Sequence, residues 1–467
     1  MGAPATDRKP PFHLRGNYAP VFEERTLTDL AVEGAIPPEL RGLFVRNGPN
    51  PRSGSSAHWF VGDGMLHGMR LEGGQASWYR NRWVQTRALL EEPAPSLISP
   101  DGIVDHGVAV ANTHIVRHAG RTLALVESSF PTEVTPDLGT KGLHDFGGRL
   151  KTAMTAHPKI CPRTGEMHFF GYGFFPPYLT YHRVDAAGVL VQSEEIPVKG
   201  PTMIHDFAIT EKHVLFLDLP VVFDLEKAMA GMVPKDASTL TQGSGASPQG
   251  DSMPYRWSDD YGARIGVLPR GASADALRWF EIAPCYVFHS FNAFEGTDGR
   301  IVLDVCRYPK LWAKNSGEFE SASPYRFTID TTSGRVTETP LFDDAAEFPR
   351  IDDRRAGSRA RFGYAVTNPP VGEFERGGRP SIVKYDMTNG ERRAHDLGGR
   401  VPSEAVFVPG GKGEDEGWLI AYVYDESRDT SDVVILDAQQ IERKPVATIH
   451  LPCRVPYGFH GNWLPDE

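Results

Sequence analysis

Four histidines lie in apolar or aromatic surroundings: His157 in MTAHPK (154–159), His205 in MIHDF (203–207), His289 in FHSFNAF (288–294) and His460 in YGFHGNW (457–463). A histidine so flanked is either a packed core residue or a metal ligand. Their successive separations are 48, 84 and 171 residues. No zinc finger or helix-borne motif has such spacing, so a shared ion must sit where distant strands converge, as on the axis of a β-propeller. Imidazole suits iron, copper, nickel and zinc alike, so ligand type does not choose the metal. Four neutral ligands leave the ion's charge uncompensated, and metal-bound imidazoles usually donate their second N–H to a carboxylate or carbonyl. Three glutamates stand in apolar stretches: Glu127 after LALV (123–126), Glu347 in AAEFP (345–349) and Glu404 in PSEAVF (402–407). Each taken singly reads as a solvated turn carboxylate.

The elements that must bring these residues together read as strands. Short apolar runs broken by glycine turns recur from end to end, and 48 Gly with 38 Pro fit many strands joined by tight turns. No alternation with long helical patterns appears, which disfavours parallel α/β folds. A sandwich or barrel stops growing well below 467 residues, whereas a propeller grows by adding blades. The expectation is an all-β propeller in one domain, residues 20–467, behind an N-terminal arm or disordered leader, residues 1–19. The C-terminal stretch 451–465 carries Tyr457, Phe459 and Trp463 around His460 and should be buried and docked. Residues 242–252 (QGSGASPQGDS) are low in complexity and read as a mobile loop. The stretch from Leu219 to Pro234 is apolar with helical spacing at Val222, Leu225, Met229 and Met232. It reads as a helix capping the sheet, or as an exposed apolar lip that touches a membrane or admits a greasy substrate.

A net charge of −11 excludes the basic footprint that a phosphate backbone requires, so nucleic acid is not expected as a partner. The four scattered cysteines, Cys161, Cys285, Cys306 and Cys453, imply reduced thiols. Residues 1–15 lack an apolar signal core and no stretch approaches 18 apolar residues, so the expected location is cytoplasmic, with peripheral membrane contact through the Leu219 to Pro234 stretch. No obligate protein partner is inferred.

His157-Pro158, MIHDFAI (203–209), FHSFNAFE (288–295), FHG (459–461), FVRNGPNP (44–51) and DGM (63–65) together resemble the carotenoid cleavage oxygenases. The resemblance runs over residues 45–463, with all these motifs in order. It implies a seven-bladed β-propeller with a helical or loop cap over its top face and one Fe(II) per chain on its axis. It implies that His157, His205, His289 and His460 hold the iron, and that Glu127, Glu347 and Glu404 stand behind His205, His289 and His460 respectively. Four imidazoles on an octahedral ion leave two positions open, which suits O₂ as co-substrate. In this family O₂ splits an alkene C=C into two carbonyl products. Thr113 matches the residue that in many members lines the open iron position. Trp59, Phe60, Phe288 and Phe291 are expected to wall the substrate cavity, along with Val126.

Family members that cleave stilbenes or phenylpropenes carry a lysine where this chain has Val126, with a tyrosine upstream that residues 96–107 lack. Residues 219–270 instead resemble the carotenoid-cleaving members. The expected substrate is therefore a hydrophobic polyene, a carotenoid or apocarotenoid, with a stilbene or phenylpropenoid as the alternative. Two other readings stay open: a non-catalytic propeller scaffold, and an iron centre that isomerises or hydrolyses without incorporating O₂.

Overall fold

The computed structural model describes residues 10–99, 102–224, 253–312, 320–369 and 378–466. Seven antiparallel sheets of four or more strands follow one another along the chain, making a seven-bladed propeller. The innermost strands of consecutive blades touch, as between Ala208–Ile209 and Tyr286–Glu295 and between Tyr286–Glu295 and Ala346–Arg350.

Burial along the strands explains their composition. Gly417–Asp425 and Thr430–Asp437, central in the last blade, are buried on both faces because neighbouring layers cover them. They read as continuous runs of Val, Ile, Leu and aromatics. The edge strand Leu190–Glu195 has alternate residues exposed and spells LVQSEE accordingly. His114–His118 and Arg121–Leu125 are joined by a two-residue turn with φ of 47° at Ala119 and 73° at Gly120. Positive φ at both positions matches the right-handed twist of the flanking strands.

Both chain ends close the ring. Ala31–Gly34 pairs with Ala447–His450 as the outer strand of the seventh blade. Gly461–Pro465 pairs with Gly42–Pro49 as the innermost strand of the first. The stretch before it is stitched on both sides: Phe459 N donates to Asn47 O at 3.0 Å and His460 N to Thr113 O at 3.1 Å. Within the arm, residues 10–19 form two 3₁₀ turns, and Asn17 Nδ2 donates to Val455 O at 3.1 Å.

One expectation is corrected where the Leu219 to Pro234 stretch begins. Val221–Phe223 is a strand, not a helix, and pairs with Tyr255–Trp257 in a two-stranded ribbon outside the seven blades. Leu219, Val221 and Val222 are buried, so this part is not an exposed lip. A short apolar run satisfies helical spacing and strand packing equally, which is why periodicity misread it. Residues 225–234 and the loop 242–252 lie outside the described residues. The only α-helix among the described residues is the four-residue Arg87–Leu90. No helix among them is long and apolar enough to cross a membrane.

Candidate metal centre

Each of the seven blades contributes one residue to a single central cluster. His460 precedes the innermost strand of the first blade, and Glu127 follows Arg121–Leu125 in the second. His157 and His205 precede the innermost strands of the third and fourth, Lys159–Ile160 and Ala208–Ile209. His289 lies within Tyr286–Glu295 of the fifth, Glu347 within Ala346–Arg350 of the sixth, and Glu404 between Val401–Pro402 and Val406–Pro409 of the seventh.

One nitrogen from each of His157, His205, His289 and His460 lies within 4.8 Å of the other three. In His205, His289 and His460 the second nitrogen points outward to a carboxylate. His205 Nδ1 donates to Glu127 Oε2 at 2.9 Å, His289 Nδ1 to Glu347 Oε2 at 2.6 Å, and His460 Nδ1 to Glu404 Oε1 at 3.0 Å. These donations fix the tautomers, because a carboxylate oxygen can only accept; each Nε2 then turns a lone pair toward the centre.

Three observations say that a cation fits there. His157 Nε2 and His205 Nε2 stand 3.0 Å apart, close enough for one cation to take both lone pairs in place of a hydrogen bond between the rings. His289 Nε2 is buried with no hydrogen-bond partner. Around the histidines the carboxylates of Glu127, Glu347, Glu404 and Asp206 face two cations, Lys159 on Asp206 and Arg350 on Glu404. Carboxylates outnumber cations around the histidines, an excess that a bound cation would offset. Burial drives the imidazoles of His157 and His460 well below their ordinary pKa, with the neighbouring histidines adding to it, so both are neutral. Burial acts the same way on His289, but Glu347 outweighs it and raises that group.

The carboxylates are themselves held. Glu404 Oε2 accepts Gly461 N at 2.8 Å, and Glu347 Oε2 accepts Phe348 N at 2.8 Å. The ladder slips between Glu347 and Arg350, and Phe348 takes a φ of 56°. That left-handed conformation costs a bulky residue of order 1–3 kcal/mol. It sets the Phe348 ring 5.7 Å from His289 and 5.5 Å from His460.

Two cavities meet at the histidines. One, of about 410 Å³, is lined by His205, His289 and His460 and by Trp59, Phe60, Val126, Phe174, Phe223, Phe288, Phe348 and Phe459. Thr113 lines it too, and its hydroxyl donates to Asn112 Oδ1 at 2.9 Å. The second, of about 500 Å³, is lined by His157, His289 and His460 and by charged side chains including Lys159, Asp206, Arg350 and Asp353. Phe291 belongs to this second cavity and not to the substrate wall expected of it. The register of Tyr286–Glu295 shifts between Val287 and Ser290 and again between Ser290 and Asn292, so side chains there do not alternate strictly.

Several residues of the aromatic cavity escaped the sequence reading. Tyr172 and Tyr255 line it with their hydroxyls 3.2 Å apart, and Phe174 and Phe223 stack at 4.1 Å. His114, a buried histidine that lines the second cavity, has its ring 5.3 Å from that of His460, donates Nδ1–H to Ala156 O at 2.8 Å and is pushed by burial down to about 3. Tyr255 falls within residues 219–270, which resemble the carotenoid-cleaving members; nothing in the sequence marks Tyr172 or His114.

A model of the retinal pigment epithelial membrane protein family matches residues 18–465. Among curated proteins, the chain is 38% identical to a carotenoid cleavage oxygenase of Mycobacterium tuberculosis, over 99% of each. It is 35% identical to a carotenoid 9,10(9',10')-cleavage dioxygenase of Crocus sativus, over 98% of this chain and 90% of that one. Among solved structures, a lignostilbene dioxygenase of Pseudomonas brassicacearum superposes with a TM-score of 0.83 at 28% identity, covering 97% of this chain and 98% of that one. A cobalt-substituted ACO of Synechocystis gives 0.80 at 26%, covering 96% and 97%.

Proposed function

The chain belongs to the retinal pigment epithelial membrane protein family, and on that footing we propose that it is a non-haem Fe(II) dioxygenase cleaving an alkene C=C of a carotenoid or apocarotenoid. The observation that carries this reading is the set of four inward-facing imidazole nitrogens, three backed by carboxylates, opening on an aromatic cavity. His157, His205, His289 and His460 would hold one iron per chain. Bound there, Fe(II) supplies the redox chemistry by which O₂ divides the alkene into two carbonyl products.

The chain's own residues do the rest. Glu127, Glu347 and Glu404 keep three imidazoles in one tautomer and raise their basicity, which favours the divalent ion. Phe60, Phe174, Phe223, Phe288 and Phe459 exclude water and align a flat, apolar chain beside the histidines. Thr113, whose carbonyl accepts His460 N–H, borders the cavity beside that histidine. The hydroxyl pair of Tyr172 and Tyr255 is a polar mark in this wall, suited to an oxygenated end of the substrate.

Val61, Ile103 and Phe175 are exposed and are either cavity-lining residues or their chain neighbours. They form the surface through which a cytoplasmic enzyme would contact the lipid that dissolves its substrate. A phenylpropenoid or stilbene is the second reading, supported by the likeness to the lignostilbene dioxygenase and opposed by Val126. Incubating the iron-loaded protein with carotenoids, apocarotenoids and stilbenes and identifying the aldehydes separates the two. Aldehydes from polyenes alone support the first reading; aldehydes from stilbenes alone support the second.

A further inference from the structure

Asp206 follows His205 directly, and its carboxylate is only 2% exposed. Oδ2 accepts Ser290 N at 2.8 Å and Ser290 Oγ at 2.7 Å. Oδ1 accepts Phe207 N at 2.7 Å and pairs with Lys159 Nζ at 2.6 Å. Ser290 is the residue after His289, and Lys159 lies two residues after His157. One buried carboxylate thus bonds to the segments that carry three of the four histidines, from three successive blades. Ser290 stands between the two register shifts of its strand, where the ladder is irregular, and its N–H is donated sideways to Asp206.

From this geometry we infer that Asp206 is a positioning residue of the metal centre: it clamps the backbones behind His157, His205 and His289 so that their Nε2 atoms converge. The inference rests on the metal-centre reading above. Charge-assisted bonds to a buried carboxylate are short and directional, and each oxygen here serves a different neighbour. An asparagine has a single carbonyl oxygen. In Asp206→Asn that oxygen can serve either Ser290 or the Phe207 and Lys159 side, and the amide NH₂ turns donors toward the other. The tie between blades is cut in either rotamer.

The test uses the full-length protein and measures Fe(II) affinity by chelator competition and the d–d spectrum after loading with Co(II). Asp206→Asn should bind Fe(II) at least about tenfold more weakly and give displaced Co(II) bands. The control is Asp432→Asn, which removes another fully buried carboxylate, one that holds Arg400, Arg428 and His450 in the seventh blade. It should leave affinity and spectrum at wild-type values. In Asp206→Asn with Lys159→Met the stranded ammonium is gone but the clamp is still cut, so affinity should stay low. Wild-type affinity in either Asp206 variant would overturn the inference, as would an unchanged Co(II) spectrum. Should Asp206→Asn fail to fold, Ser290→Ala removes one hydroxyl from the clamp and should weaken Fe(II) binding by up to about tenfold; no weakening there would overturn it equally. If wild-type protein binds no metal, the metal-centre reading fails instead.

Discussion

Glu404 holds His460 by two routes at once: Oε1 accepts the ring N–H at 3.0 Å and Oε2 accepts the amide of the next residue, Gly461, at 2.8 Å. Ring orientation and backbone position are therefore set by the same carboxylate. Glu404→Gln keeps the shape but has one acceptor oxygen for two donors. Iron affinity should fall about 10- to 100-fold, well short of losing a ligand. Iron titration of the variant checks this, and normal affinity with normal turnover would show that Glu404 plays no part in the site.

Replacing any one of His157, His205, His289 or His460 by alanine should lower iron content and nearly abolish turnover, since these four make the one group among the described residues whose side-chain atoms lie close enough together to share an ion. The iron-free proteins should melt near the wild-type temperature. Stoichiometric iron with full turnover in one variant would remove that histidine from the centre.

The two phenylalanines of the FHSF motif should separate cleanly. Phe288 lines the aromatic cavity and Phe291 packs against Tyr385 at 6.3 Å, away from it. Phe288→Ala should raise KM for a polyene. Phe291→Ala should instead destabilise the fold by about 3–5 kcal/mol while leaving KM alone in the folded fraction. Calorimetry and steady-state kinetics on both variants decide it; equal KM effects would contradict the two-cavity description.

That contrast also shows what was legible beforehand. The histidines and glutamates stood out because polar, chemically competent residues were flanked by Phe, Met, Val and Ala where core was expected. Hairpin turns such as the one at Ala119 and Gly120 gave the all-β class. Phe291 was misplaced because two slips in one strand break the alternation that sequence reasoning relies on. Phe223 was read as part of a helix or lip, although it stacks on Phe174 inside the cavity. Asp206, Tyr172 and His114 were invisible for a common reason: their partners outside their own blades lie 42 to 346 residues away, and only the closure of the ring decides which blades meet.

Acid should destabilise the iron-free protein through histidines outside the centre. Burial lowers His58 and His182 to about 4 and His168 to about 3. Their unfolded values lie near 6.5, so the unfolded chain binds protons first as pH falls. The stabilising effect is therefore complete above about pH 6.5 and is lost progressively down to the folded values. Each group contributes about 1.4 kcal/mol per pH unit within that window. Melting temperatures should drop steeply between about pH 6.5 and 4, and a flat profile there would contradict the buried neutral assignments.

The central claim is that O₂ divides an alkene at this centre, and labelling with ¹⁸O₂ tests it most directly. The iron-loaded protein is given a carotenoid or apocarotenoid under ¹⁸O₂ in ordinary water, and both products are trapped quickly and analysed by mass spectrometry. The account predicts two carbonyl products, each carrying one labelled oxygen. An isomerised or hydrated polyene without label, or no reaction with any polyene despite stoichiometric iron, would contradict it.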